Sequence, residues 1–333
     1  MRIAYILPSI GSAAPIVVIQ LLSTLMAQNG HICEVFYFDH KDNCIQFICP
    51  TKRISFYESI DLSKFDIVHS SGIRPDIYVA RNRHYFNRTK YITTIHNFFI
   101  EDFSSQYNLF IAHVVGRVWM HYVNKFDEVV LLSKFAVKYY SNWLTTKLVY
   151  VGNARYIDKN IKVEFPIIKD DYKILGVNAM LSSVKGVDQI IRALPFLPNY
   201  KLFIAGDGKV RNELEVLAGN LGVKDRCYFA GYVKDAYRYM EHYDVYVASS
   251  RSEGFPLMLL EAAQYKVPTV CSRIPVFEEI FSPEEVAFFE LDNIPSLVEA
   301  IRNVPDGKKM YERYINCYTP QKFYDRYLEI YTN

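Results

Sequence analysis

The sequence predicts an α/β protein built from two doubly wound, Rossmann-like domains whose strand C-terminal ends face a central cleft. Three observations carry this reading. The chain has 333 residues and half of them are apolar, which suits two domains of about 150 residues, each with its own core. Short β-rich segments ending in small or polar residues alternate with helical stretches, the pattern of parallel strands buried on both faces. The alternation runs twice, on either side of a polar, irregular stretch, "NARYIDKNIKVEFPIIKDD".

The first series opens with "IAYIL", a buried strand, followed from Val17 by an apolar helix, "VVIQLLSTLMAQNG", that closes on Gly30. "ICEVFYF" then completes a βαβ unit within the first 38 residues. No Asp, Glu, Lys or Arg lies between Ile3 and Cys33, so this region also has the look of a signal peptide. Pro8, Gly11 and Pro15 interrupt it, and strand followed by helix is the preferred reading. "FDIVHSSG", "KYITTIH", "EVVLLS" and "LVYVGN" supply four further strands. The second series, from Tyr172, runs "YKILGVNA", "YKLFIAGDG", "RCYFAGYV", "YDVYVASS" and "VPTVCS". The expected division is a first domain over 1–155, a linker over 156–171, a second domain over 172–315, and an aromatic-rich helical tail, about 316–333, packing back on the first domain.

Composition narrows the function. The net charge is +2, which argues against a dedicated nucleic-acid partner. It is uneven: residues 1–168 carry +5 and the remainder −3, so the first half is the better candidate to meet an anionic surface. The six cysteines show no C-x-x-C pair and suit scattered thiols in a cytoplasmic protein. No H-E-x-x-H or other metal-ligand motif is present, and no D-x-D. "AGDGKVR" matches half of a dinucleotide fingerprint, but Arg211 stands at the third glycine position, which argues against a nicotinamide cofactor.

Chemistry concentrates in "SRSEGFPLMLLEAAQYKVP", from Ser250 to Pro268. A strand leads through a loop into a helix whose first turn tolerates Pro256. Gly254 permits close approach of the backbone to a ligand. The free amides of the helix start favour an anion such as phosphate. Glu261, more than a turn further in, can accept hydrogen bonds from a ribose diol. Glu253, on the loop, can reach a different polar group of the same ligand. A solvated loop glutamate and a capping one is the plain alternative for this segment.

The same stretch, "SEGFPLMLLEAAQYKVPTVCS", resembles the E-x7-E signature of retaining glycosyltransferases of the GT-B fold, specifically the GT4 family. "VKGVDQIIRAL", "LFIAGDGKVRNELEVLAGNLGVKDRCYFAGYVKD", "TTIH" and "VGNARYID" resemble other blocks of that family in the same order, so the resemblance covers most of the chain. It implies a hexosyltransferase that uses a nucleotide diphosphate sugar as donor and a glycan or lipid-linked oligosaccharide as acceptor, in assembly of a bacterial capsule or O-antigen. It implies no cofactor and no metal. By the same resemblance Lys185 and the amides around Gly254, Phe255 and Leu257 hold the donor diphosphate, and Glu261 holds the ribose. Glu253 holds hydroxyls of the transferred sugar, His96 sits by that sugar, and the backbone at Tyr232 lies against the nucleobase. Ala13 and Ala14 stand where the family's first loop carries two glycines near the phosphate and acceptor.

Three positions depart from the family pattern. Met180 replaces an arginine that assists the lysine, Ala13-Ala14 replaces Gly-Gly, and the hinge reads Gly152-Asn153 rather than Asn-Gly. A non-catalytic carbohydrate-binding relative and a nucleotide-sugar epimerase of the same fold are the alternatives. The segment 74–91, with Arg74, Arg81, Arg83, Arg88 and Lys90 among aromatics, is either a solvated helix face or a patch for the anionic inner face of the plasma membrane.

Overall fold

The computed structural model describes residues 1–41, 43–84, 88–100, 109–160, 162–167 and 170–333. They form two compact units, one of 1–156 with 318–333, the other of 157–317.

The first unit is built on a parallel sheet of seven strands in the order β3-β2-β1-β4-β5-β6-β7. These are β1 (Arg2–Ser9), β2 (Ile32–Asp39), β3 (Thr51–Arg53), β4 (Ile67–Ser70), β5 (Lys90–Ile95), β6 (Glu128–Leu131) and β7 (Lys147–Tyr150). The first helix, α1, spans Ala14–Gln28 and so starts three residues before Val17. Pro15 opens it rather than interrupting the apolar run, because a first-turn proline loses no intrahelical hydrogen bond. The helix ends as expected at Gly30, which adopts a left-handed φ of +84°. Strand β3 escapes the sequence pattern because its three residues are polar and exposed. Helices α2 (Ile73–Asn82), α3 (Leu109–Val123) and α4 (Lys134–Tyr140) follow β4, β5 and β6.

The tail of the chain completes this unit. Thr319 caps α11 (Pro320–Thr332) by accepting a hydrogen bond from the Lys322 amide, with Pro320 in the first turn. Its tyrosines reach polar groups inside the sheet. His69 Nδ1 lies 2.6 Å from the Tyr331 hydroxyl and His69 Nε2 2.8 Å from Thr94 Oγ1. Thr94 Oγ1 is in turn 3.1 Å from the Tyr327 hydroxyl, and Lys90 Nζ donates to the Ile330 carbonyl at 2.5 Å. Buried side-chain polar groups without such partners would each cost about 1–3 kcal/mol, which gives the aromatic-rich tail a structural reason.

The second unit holds a parallel six-stranded sheet in the order β10-β9-β8-β11-β12-β13. Its strands are β8 (Lys173–Asn178), β9 (Tyr200–Ala205), β10 (Cys227–Gly231), β11 (Val245–Ala248), β12 (Thr269–Ser272) and β13 (Ala287–Phe289). Helices α5 (Val187–Ala193), α6 (Arg211–Asn220), α7 (Leu257–Tyr265), α8 (Pro275–Ile280), α9 (Ile294–Arg302) and α10 (Lys308–Cys317) surround it. Leu175, Ile190, Ile191, Leu202, Ile204, Val247, Val270, Leu297 and Ile301 make one fully buried cluster between sheet and helices. Each such side chain contributes about 1.5–3 kcal/mol on burial.

Both sheets reverse direction of strand addition at one point. In the first, β1 is followed by β2 and β3 on one side and by β4 on the other; in the second, β8 stands likewise between β9 and β11. Ligands of open α/β sheets bind outside the strand C-terminal ends at such points.

Candidate functional site

In the second unit the loops after β8 and β11 meet at the reversal point, because these strands are neighbours, with Val245 opposite Leu175 and Tyr246 opposite Gly176. After β8 the chain makes one turn of 3-10 helix, Ser183–Lys185, then passes through Gly186 into α5. Gly186 has φ +62°, and a Cβ there would stand 2.2 Å from the Ser249 carbonyl oxygen. The site therefore requires glycine both for its left-handed backbone and for the closeness of the second loop.

The two loops are latched together. Ser249 Oγ donates to the Lys185 carbonyl at 2.9 Å, and the Arg251 amide donates to the Val184 carbonyl at 2.7 Å. The Arg251 guanidinium bonds the Ser183 carbonyl and both oxygens of Asp188, and pairs with Asp292 at 2.6 Å. Gln189 Nε2 donates to the Ser249 carbonyl at 3.0 Å.

On this frame Lys185 Nζ lies 2.6 Å from Glu253 Oε1, and Ser250 Oγ donates to the same oxygen at 2.7 Å. The side chains are 19 % and 8 % exposed, so the charge-assisted contact is well shielded from water. Glu253, Gly254, Phe255 and Leu257 are consecutive features of one loop and helix start. Pro256 is the residue before the first turn of α7 rather than within it, and among the described residues no side chain caps that turn. Glu261 lies on the buried side of the helix, 9 % exposed. Tyr246, within β11, feels both carboxylates: burial first, then the charges of Glu261 and Glu253, push its phenol well above its ordinary value.

Met180, after β8, is 68 % exposed, and Tyr232, after β10, is 64 % exposed. The serines and Arg251 that hold the Lys185 loop were not singled out from sequence. The one signal was their position beside the glutamates, and nothing in composition distinguishes a latch from a solvated loop. No group of three or more His, Cys, Asp or Glu is placed to hold a metal among the described residues.

The first unit has a cavity of about 260 Å³ at its own reversal point. The β1 end and α1 start contribute Ser9, Ala13 and Ile16; the loop after β4 contributes Ser71 and Gly72; His96 and Trp119 complete the wall. Ala14 is the exposed first residue of α1. His96 is half-buried, and its Nε2 is buried without a hydrogen-bond partner among the described residues. Burial lowers its pKa to about 4, so the imidazole is neutral at neutral pH. Under Trp119 lies Asp76, missed by sequence reading. It accepts hydrogen bonds from Trp119 Nε1 at 2.7 Å, Ser70 Oγ at 2.6 Å and Thr93 Oγ1 at 2.7 Å. Burial raises its carboxyl to about 7 against these donors.

The basic segment 74–91 is largely paired. Arg74 contacts Asp39, Arg83 lies 3.1 Å from Asp127, and Lys90 lies 2.7 Å from Glu128. Arg81 and Arg88 are exposed; residues 85–87 lie outside the described residues. No helix among the described residues is long and apolar enough to cross a membrane.

Two parallel doubly wound sheets, each with polar side chains gathered at its reversal point, define a GT-B glycosyltransferase architecture. The family of glycosyl transferases group 1 matches residues 158–317. The O-antigen biosynthesis glycosyltransferase WclY of Escherichia coli is 33 % identical over 313 residues, which are 90 % of this chain and 88 % of that one. The chain belongs to this family. Among solved structures, HepE of Anabaena in complex with UDP superposes with a TM-score of 0.82 at 14 % identity, covering 100 % of both chains. Sucrose-phosphate synthase of Thermosynechococcus elongatus gives 0.81 at 16 %, covering 100 % of this chain and 98 % of that one.

Proposed function

We propose that this chain moves a hexose from a nucleotide diphosphate sugar to a glycan or lipid-linked oligosaccharide, with retention of anomeric configuration, in assembly of O-antigen or a related surface polysaccharide. The observation that carries the reading is the shielded Lys185–Glu253 pair beside the uncapped start of α7 and the buried Glu261. The relationship to an O-antigen glycosyltransferase supports the pathway. Retention, and placement in GT4, rest on the resemblance of Glu253-x7-Glu261 to the family signature.

In this reading the second unit holds the donor. Lys185 and the α7 amides bind the diphosphate, where a cation and a helix N-terminus both favour negative charge. Glu261 accepts from the ribose diol, and Glu253 orients Lys185 and reaches hydroxyls of the sugar. The first unit holds the acceptor at the cavity lined by His96, whose buried, unpartnered Nε2 is suited to a sugar hydroxyl. The bond from the anomeric carbon to the diphosphate oxygen breaks, and the acceptor oxygen bonds to that carbon from the same face. The acceptor proton passes to the departing phosphate, and the nucleoside diphosphate leaves. Lys185 and the amides stabilise the charge that grows on that phosphate, so they act most strongly in the transition state. No cofactor takes part; the nucleotide sugar is a substrate.

The test is product analysis by NMR with a panel of nucleotide sugars and a saccharide acceptor. Release of nucleoside diphosphate with an unchanged anomeric configuration is expected. An inverted linkage contradicts retention. Tight donor binding with no turnover on any acceptor favours the non-catalytic alternative, which Met180 in place of the family arginine motivates.

A further inference from the structure

The cavity of the first unit has a wall of unequal chemistry. At about 260 Å³ it falls just below the range of about 300–1,000 Å³ that pockets for drug-sized ligands span, which suits one sugar ring rather than an oligosaccharide. Pro8, Pro15, Ile16, Ile73, Phe99 and Trp119 line it, drawn from the end of β1, from α1, the start of α2, the segment after β5, and α3. Ile16, Phe99 and Trp119 are buried. Several polar atoms of the wall are already engaged. Trp119 spends its one polar atom, Nε1, on Asp76 at 2.7 Å, so the indole offers carbon alone to a ligand. Thr94 Oγ1 stands between His69 Nε2 at 2.8 Å and the Tyr327 hydroxyl at 3.1 Å. Ser9 Oγ accepts from the Gly11 amide at 3.4 Å. Ser71 and Asn97 are further polar members. Against this background His96 Nε2 is buried and without a hydrogen-bond partner among the described residues. Such a wall matches a plain hexose poorly, because hydroxyls turned to carbon lose water without gaining a partner.

We propose that the cavity selects an acceptor whose terminal sugar bears a methyl group, carried by an acetamido substituent or by the end carbon of a deoxyhexose, with the methyl packed on the wall of Ile16, Ile73 and Trp119 and a ring hydroxyl bonded to His96 Nε2. The inference rests on the reading that the first unit holds the acceptor, and it names the class of that acceptor. The contact with His96 works in either tautomer, since a hydroxyl both donates and accepts. One methylene in an apolar pocket changes selection by roughly 10- to 200-fold. Ile73 is only half-buried, so the lower end applies.

The test is binding of monosaccharides to the full chain without donor, followed by saturation-transfer-difference NMR. Glucose, N-acetylglucosamine and quinovose form one series; galactose, N-acetylgalactosamine and D-fucose form the other. Quinovose and D-fucose are the deoxy forms, so each series varies the methyl-bearing group on one ring. In at least one series a methyl-bearing sugar should bind about ten-fold more tightly than its parent, with the strongest saturation on its methyl protons. Whether the acetamido or the deoxy sugar does so identifies the source of the methyl. Ile73→Ser, at the first position of α2, should narrow the gap to roughly two-fold with the circular dichroism spectrum kept. His96→Ala should weaken methyl-bearing and parent sugars alike, by about five-fold. Methyl-bearing sugars that bind no more tightly than their parents in either series, or saturation confined to ring protons, overturn the proposal; the acceptor reading then stands if His96→Ala still weakens binding. If both variants leave the binding of every sugar unchanged, the sugars bind elsewhere and the acceptor reading falls as well. Absence of binding by every sugar in both series also overturns the proposal, and release of nucleoside diphosphate with a saccharide acceptor still tests the transfer reaction separately.

Discussion

Lys185 Nζ and Glu253 Oε1 stand 2.6 Å apart although 68 residues separate them in sequence. The cause is the strand order: β8 and β11 are neighbours, so the loops that follow them share the reversal point of the sheet. Ser250 fixes the carboxylate and Ser249 fixes the backbone of the lysine. The cation is thus placed before any ligand arrives, which is what electrostatic stabilisation of a departing phosphate requires.

Gly186→Ala tests the latch. A left-handed non-glycine costs about 1–2 kcal/mol, and the Cβ would also meet the Ser249 carbonyl at 2.2 Å. Urea unfolding should show a loss of at least that size, and kcat should fall more than KM rises because Lys185 is displaced. Unchanged stability would mean that the two loops separate without cost.

Met180→Arg restores a cation beside the candidate diphosphate site. Met180 is 68 % exposed, so the longer side chain fits without repacking. Calorimetric titration with a nucleoside diphosphate should show affinity raised by roughly five- to ten-fold, the value of about 1–1.5 kcal/mol for one added hydrogen bond at a solvent-exposed position. Equal affinity would place the diphosphate away from the β8 end.

Much of this was legible in the sequence because parallel strands buried on both faces leave continuous apolar runs, as in "KILGVN" and "KLFIA". Lys185, Glu253 and Glu261 stood out through the family resemblance. What periodicity could not supply is contact across the sheet. Arg251 has the composition of a solvated residue, yet it ties three backbone and side-chain partners together. Asp76 and Trp119 are 43 residues apart, and nothing in either local segment announces their hydrogen bond. The exposed strand β3 has no apolar pattern at all.

The first unit should show opposed pH dependences. His69 and His96 have pKa values lowered to about 3 and about 4, in both cases mainly by burial. Their stabilising contribution is complete above about pH 6.5 and is lost as pH falls toward those values. Asp76, raised to about 7 by burial, contributes stability that is complete below about pH 4 and lost as pH rises through 7. From pH 7 to 5 each histidine therefore removes on the order of 2 kcal/mol while Asp76 returns a similar amount. In Asp76→Asn the offset is gone, and urea midpoints should fall more steeply over this interval than in wild type. Parallel slopes in the two proteins would contradict the placement of the Asp76 proton.

Chelation should leave transfer nearly intact. The sequence has no D-x-D, and the proposed charge stabilisation comes from Lys185 and backbone amides. Initial rates with and without EDTA should agree within about two-fold, far from the tenfold that each 1.36 kcal/mol of lost transition-state stabilisation gives. Loss of most activity, restored by manganese, would contradict this assignment.

The central claim is that Lys185 meets the departing phosphate, and steady-state turnover of Lys185→Ala with one donor tests it most directly. Removing one such donor costs about 10²–10³ in rate, or roughly 2.7–4 kcal/mol. The account predicts a fall in kcat of at least that order, with the fold retained, and for Glu261→Ala a rise in KM for the donor instead. Near-normal turnover of Lys185→Ala would contradict it, because the pair with Glu253 would then be a structural contact and the diphosphate would lie elsewhere.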